Sequence, residues 1–267
     1  MKNLSQNNKL AQILQRPDIW QAGKDGSGTP ADSQTRGPST GHHLLNCALA
    51  NKGWPKHGST ELLIETEGSG IGVGELSLLS PLLAELTQQQ KTVVFVNPPK
   101  KLNPGALAVA GVRIEHILIL QPKNNRDELW AIEQSLRSGC VAALINWQGE
   151  QHLTDRDLRR LQVAAKENHC LHFHIRPAAY GQSPSPAPLR INLGKIPGHM
   201  KIEVLKQAGG PSGQVVYLPR GIHRTDKRKP VAAQPQQQQS ARVVSVTSGR
   251  KVALPQQKQA GGLGLWH

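Results

Sequence analysis

Apolar and polar positions alternate along the middle of the chain with two different periods. Short runs rich in aliphatic and β-branched residues occur at Thr60–Thr66, Lys91–Asn97, Ile114–Gln121, Cys140–Trp147 and Leu171–Arg176, each of a length that suits a buried strand. Between them apolar residues recur at helical spacing: Leu76, Leu79, Leu83 and Leu86 within 74–89, Leu129, Ile132 and Leu136 within 126–138, and Leu158, Leu161 and Ala165 within 155–167. Thr154 and Asp157 form a start signal for the last of these helices. Pro81 falls inside the first, where it removes a hydrogen bond and predicts a bend. Strands alternating with helices predict an α/β fold, a mostly parallel sheet with helices on both faces. After Leu189 three strand-like runs (189–193, 201–205, 214–218) joined by Gly/Pro turns predict an antiparallel extension of that sheet.

The two ends read differently. Residues 1–37 hold a short helical stretch, Leu4 to Leu14, and a polar Gly/Pro-rich linker over 21–39. From Arg220 to His267 there are nine basic residues and one acid, with the Gln run 236–239, scattered Pro and almost no periodic apolar pattern. Such a composition buries too little apolar surface to offset chain entropy, which predicts a disordered basic tail over 220–267 behind a core at 38–219. The formal charge of +14 for 267 residues therefore divides into +8 on the tail and +6 on everything before it. Aromatics are only 3%, so serial base stacking is excluded as the main source of any nucleic-acid affinity. Cys47, Cys140 and Cys170 are far apart and form no C-x-x-C pair, which predicts reduced thiols and no metal. No run approaches the ~18 apolar residues of a bilayer span, and the opening MKNLSQNNKLAQIL lacks a secretory apolar segment. The expectation is a cytoplasmic protein without membrane contact.

In an open α/β sheet, ligands bind at the carboxyl ends of the strands, and the loop after the first core strand reads ETEGSGIGVGELSLL. A phosphate loop needs glycines whose backbone N–H groups curl round the phosphates, then a Lys and a Ser/Thr for the β/γ oxygens and Mg²⁺. Gly68, Gly70, Gly72 and Gly74 are present, but Glu75 and Leu76 stand where Lys and Ser/Thr belong. A carboxylate there repels phosphate. The same glycines also fail the G-x-G-x-x-G spacing of a dinucleotide site.

The segment PSTGHHLLNCALANKGWPKHGSTELLIETEGSGIGVGELSLL resembles the entry to the bacterial recombinase RecA core, with Ser39-Thr40-Gly41, a Leu-rich helix, Gly53-Trp54-Pro55 and a strand into the phosphate loop. The resemblance covers about residues 38–218. Within that superfamily LWAIEQSLRSG, DLRRLQVAA and Arg176–Leu193 resemble the ImuA branch, RecA-like proteins of bacterial SOS mutagenesis cassettes. The cell-division inhibitor SulA shares a similar, shorter core. Active relatives carry a catalytic Glu after the second core strand and an Asp ending the Walker B strand; here those places hold Asn97-Pro98-Pro99 and Asn146. The resemblance therefore implies a RecA-like protein without ATPase activity or cofactor. The resemblance further implies a role in DNA-damage-induced translesion synthesis, recruiting ImuB, a Y-family polymerase homologue, or RecA. The alternatives are SulA-like inhibition of cell division through FtsZ, and a general DNA-binding accessory.

Partner or DNA-backbone contact is expected from the tail, at Arg242, Arg250, Lys251 and Lys258, with Leu265 and Trp266 as a hydrophobic tip that a groove can anchor. Arg156, Arg159 and Arg160 form a basic helix face that serves as a secondary candidate. In NHCLHFHIRP, Cys170, His172 and His174 share one face of a strand. Alternate strand side chains stand ~6.5 Å apart, so the three do not converge on a metal, and a buried core strand is the expectation.

Overall fold

The computed structural model describes residues 36–65, 73–99, 102–149, 153–220 and 242–246. Contacts group the chain into residues 1–36 and 37–267, and the fold below is that of the second group. The strands are β1 Gly58–Ile64, β2 Thr92–Val96, β3 Ile117–Pro122, β4 Val141–Trp147, β5 Leu171–Pro177, β6 Leu189–Ile196, β7 His199–Gln207, β8 Val215–Pro219 and β9 Arg242–Val246. They form one sheet in the order β8-β7-β6-β1-β5-β4-β2-β3-β9. Pairing is parallel from β6 through β9 and antiparallel for β6-β7 and β7-β8. The predicted parallel sheet with an antiparallel extension is therefore present.

The helices are α1 His43–Ala48, α2 Glu75–Gln88, α3 Pro104–Val109, α4 Asn125–Arg137 and α5 Asp155–Glu167. On one face, Leu45, Leu49, Leu78, Leu79, Leu82, Leu83 and Leu107 pack on Leu62, Phe95, Ile145 and Phe173 of the strands. On the other, Ala131, Ile132 and Leu136 of α4 and Leu161, Ala164 and Ala165 of α5 cover Val94, Val96 and Leu144. With both faces covered, the central strands are buried nearly throughout. That is why they read as continuous apolar runs and not as alternating ones. No helix of the described residues is long and apolar enough to cross a membrane.

Local chemistry accounts for the element boundaries. The Thr154 hydroxyl accepts from the Asp157 N–H while the Asp157 carboxylate accepts from the Thr154 N–H, a reciprocal cap at the start of α5. Asn103 and Asn124 cap α3 and α4 the same way, by accepting an N–H in the first turn. Pro81 lies within α2 and cannot donate to the Ser77 carbonyl; the Ser80 hydroxyl donates there instead, at 2.9 Å. The ring of Pro81 also lies against Gly41, where φ is +79° and a Cβ would fall 2.2 Å from the Pro81 Cβ. Gly41 is thus required twice over, for its left-handed backbone and for the close approach of α2.

Two elements depart from the sequence-based expectation. The helix α3 is only six residues, too short for its period to register. Residues 242–246 form β9, paired parallel with β3 from Leu118↔Arg242 to Pro122↔Val246, within the stretch expected to be structureless. The composition of the whole tail obscured this one valine-rich stretch, Arg-Val-Val-Ser-Val. The expected N-terminal helix and linker, and the remainder of the tail, lie outside the described residues. Removing the α5 cap by Thr154→Ala should lower stability by about 1 kcal/mol in urea unfolding, with no change in the dependence on denaturant concentration.

Candidate functional site: the carboxyl end of the sheet

Gly68, Gly70 and Gly72 lie outside the described residues, but the end of their loop is defined. Gly74 adopts φ +105° at the start of α2, and a Cβ there would meet the Met200 Cε at 2.8 Å. Glu75 follows and is buried. Its carboxylate accepts from the Gly74 N–H at 3.1 Å and from the Trp147 indole N–H at 3.4 Å. Trp147, buried at the end of β4, packs edge-on against Phe95 of β2, with ring centroids 5.9 Å apart. A helix start draws anions through its unpaired N–H groups. Here the chain supplies its own anion, facing inward, at the place where a phosphate loop has a cation.

The ends of β2 and β4 are tied by a second carboxylate. Asn97, next after β2, has φ +51°, a left-handed conformation that Asn tolerates better than most residues. Its side chain donates to Glu128 of α4, and so does the Gly149 N–H; burial nevertheless pushes the Glu128 carboxyl above its ordinary pKa. The sequence reading found no acid near Asn97-Pro98-Pro99, and Glu128 arrives there from the next helix. No local motif announces it. Glu128 spends its oxygens on groups of the chain itself.

Further down the same sheet, on the face beneath α4 and α5, polar groups run through the interior. Ser59 Oγ stands 2.7 Å from His172 Nδ1, and His172 Nε2 stands 2.8 Å from Asn146 Oδ1. An amide oxygen only accepts, so Nε2 carries the proton and Nδ1 accepts from the Ser59 hydroxyl. Burial holds His172 neutral, with its pKa pushed down to about 3. The order Ser, His, Asn is that of a nucleophile relay, but at 5%, 1% and 0% exposure no substrate reaches it. Its work is to pair three buried polar residues. Asn146, in the Walker B position, is thus turned toward β5. His174 stacks on His172 at 6.0 Å, and neither of its ring nitrogens has a partner among the described residues.

The deepest charged group is Glu61, 1% exposed in the middle of β1. One carboxylate oxygen accepts from Arg176 of β5 at 3.2 Å and from the Ser185 hydroxyl at 2.5 Å; the other accepts from Arg190 of β6 at 2.8 Å. Arg190 also donates to the carbonyls of Tyr180 and Gly181. Arg176 lies over the Tyr180 ring at 4.3 Å and donates to Gln148. One carboxylate thereby joins three strands and the connector 178–188. Charged residues inside otherwise apolar strands, Glu61 in STELLI and Arg190 in LRINL, are a sequence signal for such a cluster that the reading did not use.

One residue of the basic face also has a structural partner. Arg160 bonds to Glu133 of α4 and lies 3.7 Å from Asp157, so it couples two helices; Arg156 and Arg159 are exposed. Arg242 belongs to β9, while Arg250, Lys251, Lys258, Leu265 and Trp266 lie outside the described residues. Cys170, His172 and His174 lie on one strand face, as expected, and the described residues hold no group of three metal-ligating side chains.

Comparison with known proteins agrees with this geometry. The crystal structure of the RadB recombinase superposes with a TM-score of 0.55 over 70% of this chain and 97% of that one, at 14% identity. The fold is that of a recombinase core. A family described as "Cell division inhibitor SulA" matches residues 68–172. SulA of Yersinia pestis (strain Pestoides F) is 32% identical over 100 residues, 38% of this chain and 58% of that protein. SulA of Yersinia pseudotuberculosis gives the same figures. The matched region thus spans less than two thirds of those relatives. The SulA crystal structure from Pseudomonas aeruginosa is 28% identical, over 44% of this chain and 97% of that one, with a TM-score of 0.36. The RadB superposition thus shows the fold, and the SulA likeness is one of sequence over residues 68–172.

Two outcomes follow. Glu61→Gln leaves two buried guanidiniums facing a neutral amide, and thermal or urea unfolding should show a loss of about 3–5 kcal/mol. His172 is held neutral in the folded chain, so between its unfolded pKa near 6.5 and its folded value near 3 the unfolded state takes up a proton that the folded state refuses. Stability should therefore fall as pH drops through that window, and in His172→Gln the fall should be shallower by one proton; unchanged pH dependence would refute the assignment.

Proposed function

We propose that this protein is a non-catalytic adaptor of recombinase fold in the bacterial SOS response, of the ImuA kind. It links an ImuB-type Y-family relative and RecA in translesion synthesis. The observation that carries this reading is the inward-facing Glu75. Phosphoryl transfer is almost wholly positioning and charge stabilisation, and at this loop end a carboxylate locked to Trp147 stands in the place of the phosphate-binding cation. Of the acids and amides nearby, Glu128 is engaged with Asn97 and the Gly149 N–H, and Asn146 with His172. What survives is the surface of a recombinase, which suits contact with recombinase-like or polymerase-like proteins in the cytoplasm. The cations of 220–267 would add salt-sensitive attraction to a partner or to a DNA backbone.

A second reading is favoured by one finding. The SulA match spans 68–172, from the glycine loop to β5, and supports an inhibitor of cell division acting on FtsZ. The adaptor reading takes support from the recombinase-like core on either side of that match, including β1, β6 and the Glu61 cluster. One capture experiment separates the two. Immobilised full-length protein, and a variant ending at Arg220, are offered purified ImuB-type protein, RecA and FtsZ in turn. The adaptor reading expects ImuB or RecA to be retained, at least tenfold less by the shortened variant; retention of FtsZ alone favours the inhibitor, and retention of none contradicts both.

A further inference from the structure

The amino end of the sheet carries a second set of polar side chains, apart from the site at its carboxyl end. The Gly58 N–H donates to the Cys170 carbonyl at 3.0 Å, which sets the starts of β1 and β5 side by side. Gln162 of α5 reaches the same place, where its side-chain oxygen accepts from the Ser59 N–H. Gly58 has φ +95°, and a Cβ there would fall 3.0 Å from the Gln162 amide, so glycine lets the helix come this close. Lys166 lies one turn beyond Gln162 on the same side of α5. The residues that precede the two strands, His57 and His169, thus meet beside the end of α5. Their ring centroids are 5.1 Å apart, edge to face. His57 is half-buried, while Lys56, Lys166 and His169 are exposed.

The charge around this pair is of one sign. Burial, and then His169, Lys166 and Lys56 in that order, hold the His57 pKa below its ordinary value, and no carboxylate is among the groups that act on it. The loop 50–57 contains Lys52 and Lys56 but no acid, and the acid of the last turn of α5, Glu167, is exposed beside Lys166. Cations at a helix end can serve its last carbonyls. Here those carbonyls already have partners: Ala164 accepts from the Asn168 N–H and side-chain amide, Ala165 from the Cys170 N–H, and Lys166 from the His169 N–H. The two imidazoles and the Lys166 ammonium are therefore not needed as caps. His169 has φ +53° just after α5, a place that suits glycine, and it sets an imidazole there instead. A metal ion does not fit, because the lysines repel a cation and the described residues supply no group of three ligating side chains.

We propose that His57, His169 and Lys166, with Lys56 beside them, form a phosphate-binding site at the amino end of the sheet, and that binding there takes up protons. Two imidazoliums held this close beside an ammonium repel one another. A phosphate oxyanion between them turns that repulsion into attraction and accepts charge-assisted N–H bonds. The ligand is a phosphate group, whether of a polynucleotide backbone, of its terminus or free in solution. A phosphodiester keeps its charge throughout the range in which imidazole titrates, so affinity for it rises as pH falls through that range. The site lies at the other end of the strands from the glycine loop, and it stands whichever of the two readings of function holds.

The test uses the full-length chain at constant salt. Fluorescence anisotropy follows a short rhodamine-labelled oligothymidylate, with and without a 5′ phosphate, and imidazole NMR follows the same chain in inorganic phosphate against chloride. The unaltered chain should bind oligomer about tenfold more tightly at about pH 6 than at about pH 8. His57→Gln/His169→Gln should lose most of that difference, and Lys166→Glu should weaken binding at the lower pH. His57→Arg/His169→Arg should bind at the higher pH as the unaltered chain does at the lower, a gain that misfolding cannot produce. The tail, with His223 and His267, is the same in every variant, so the differences belong to the cluster. In inorganic phosphate the titration midpoints of His57 and His169 should rise by about half a pH unit. Cluster-dependent binding of the plain oligomer assigns the site to backbone phosphates, a gain from the 5′ phosphate assigns it to a terminal one, and a response to inorganic phosphate alone assigns it to the free ion; each supports a phosphate site. The proposal is overturned if the glutamine pair keeps the pH dependence of the unaltered chain with both oligomers and inorganic phosphate moves neither midpoint. A folded arginine pair that gains no affinity for any of the three probes overturns it as well.

Discussion

A carboxylate fixed at the centre of the sheet sets the architecture. Glu61 on β1 is almost fully desolvated, and Arg176 and Arg190 reach it from the strands on either side. Ions removed from water are tolerated only when paired and hydrogen-bonded, and the loss of one partner costs far more than the intact cluster contributes. The pairing therefore acts as a constraint on register more than as a source of stability. If β5 or β6 slipped by one residue, its guanidinium would pass to the opposite, aliphatic face. The same cluster secures the 178–188 connector through Ser185 and the carbonyls of Tyr180 and Gly181, and so determines how the parallel half of the sheet passes into its antiparallel extension.

With the register held, the carboxyl ends of β2 and β4 come together, and there the chain satisfies its own polar groups. Glu75 accepts from Gly74 and Trp147, Glu128 from Asn97 and Gly149, and Asn146 pairs with His172. In a recombinase-type enzyme that end of the sheet would hold groups free to meet nucleotide, metal and water. Here these groups are partners of one another, and Trp147 fills the space between Phe95 and Glu75. The fold is that of a recombinase core, and the described polar groups at this end of the sheet are paired within the chain.

Much of this was legible in the sequence. Strands buried on both faces and helices of 13 or 14 residues have strong periods, and the α/β alternation followed from them. Glu75 stood out in the sequence as an acid where a phosphate loop carries its lysine. Its inward turn onto Trp147 was not legible there, since nothing local links residues 72 positions apart. Glu128 escaped notice because a helix brings it to the end of a strand far from it in sequence. Arg160 looked like one member of a basic face because its partner, Glu133, lies on another helix. β9 was hidden by averaging: three valines in a five-residue strand barely change the composition of a long Gln-, Pro- and Arg-rich stretch.

The central claim is that this recombinase fold acts through its surface and not through phosphoryl transfer. The most direct measurement is Mg²⁺-dependent ATP turnover by the purified full-length protein, followed by release of inorganic phosphate and compared with Glu75→Lys. The account predicts no turnover above background in the unaltered protein, and none in Glu75→Lys, because Asn97 and Asn146 still stand where a water-polarising and a metal-binding acid are needed. Turnover by the unaltered protein that disappears on changing Gly74 or Glu75 would contradict it.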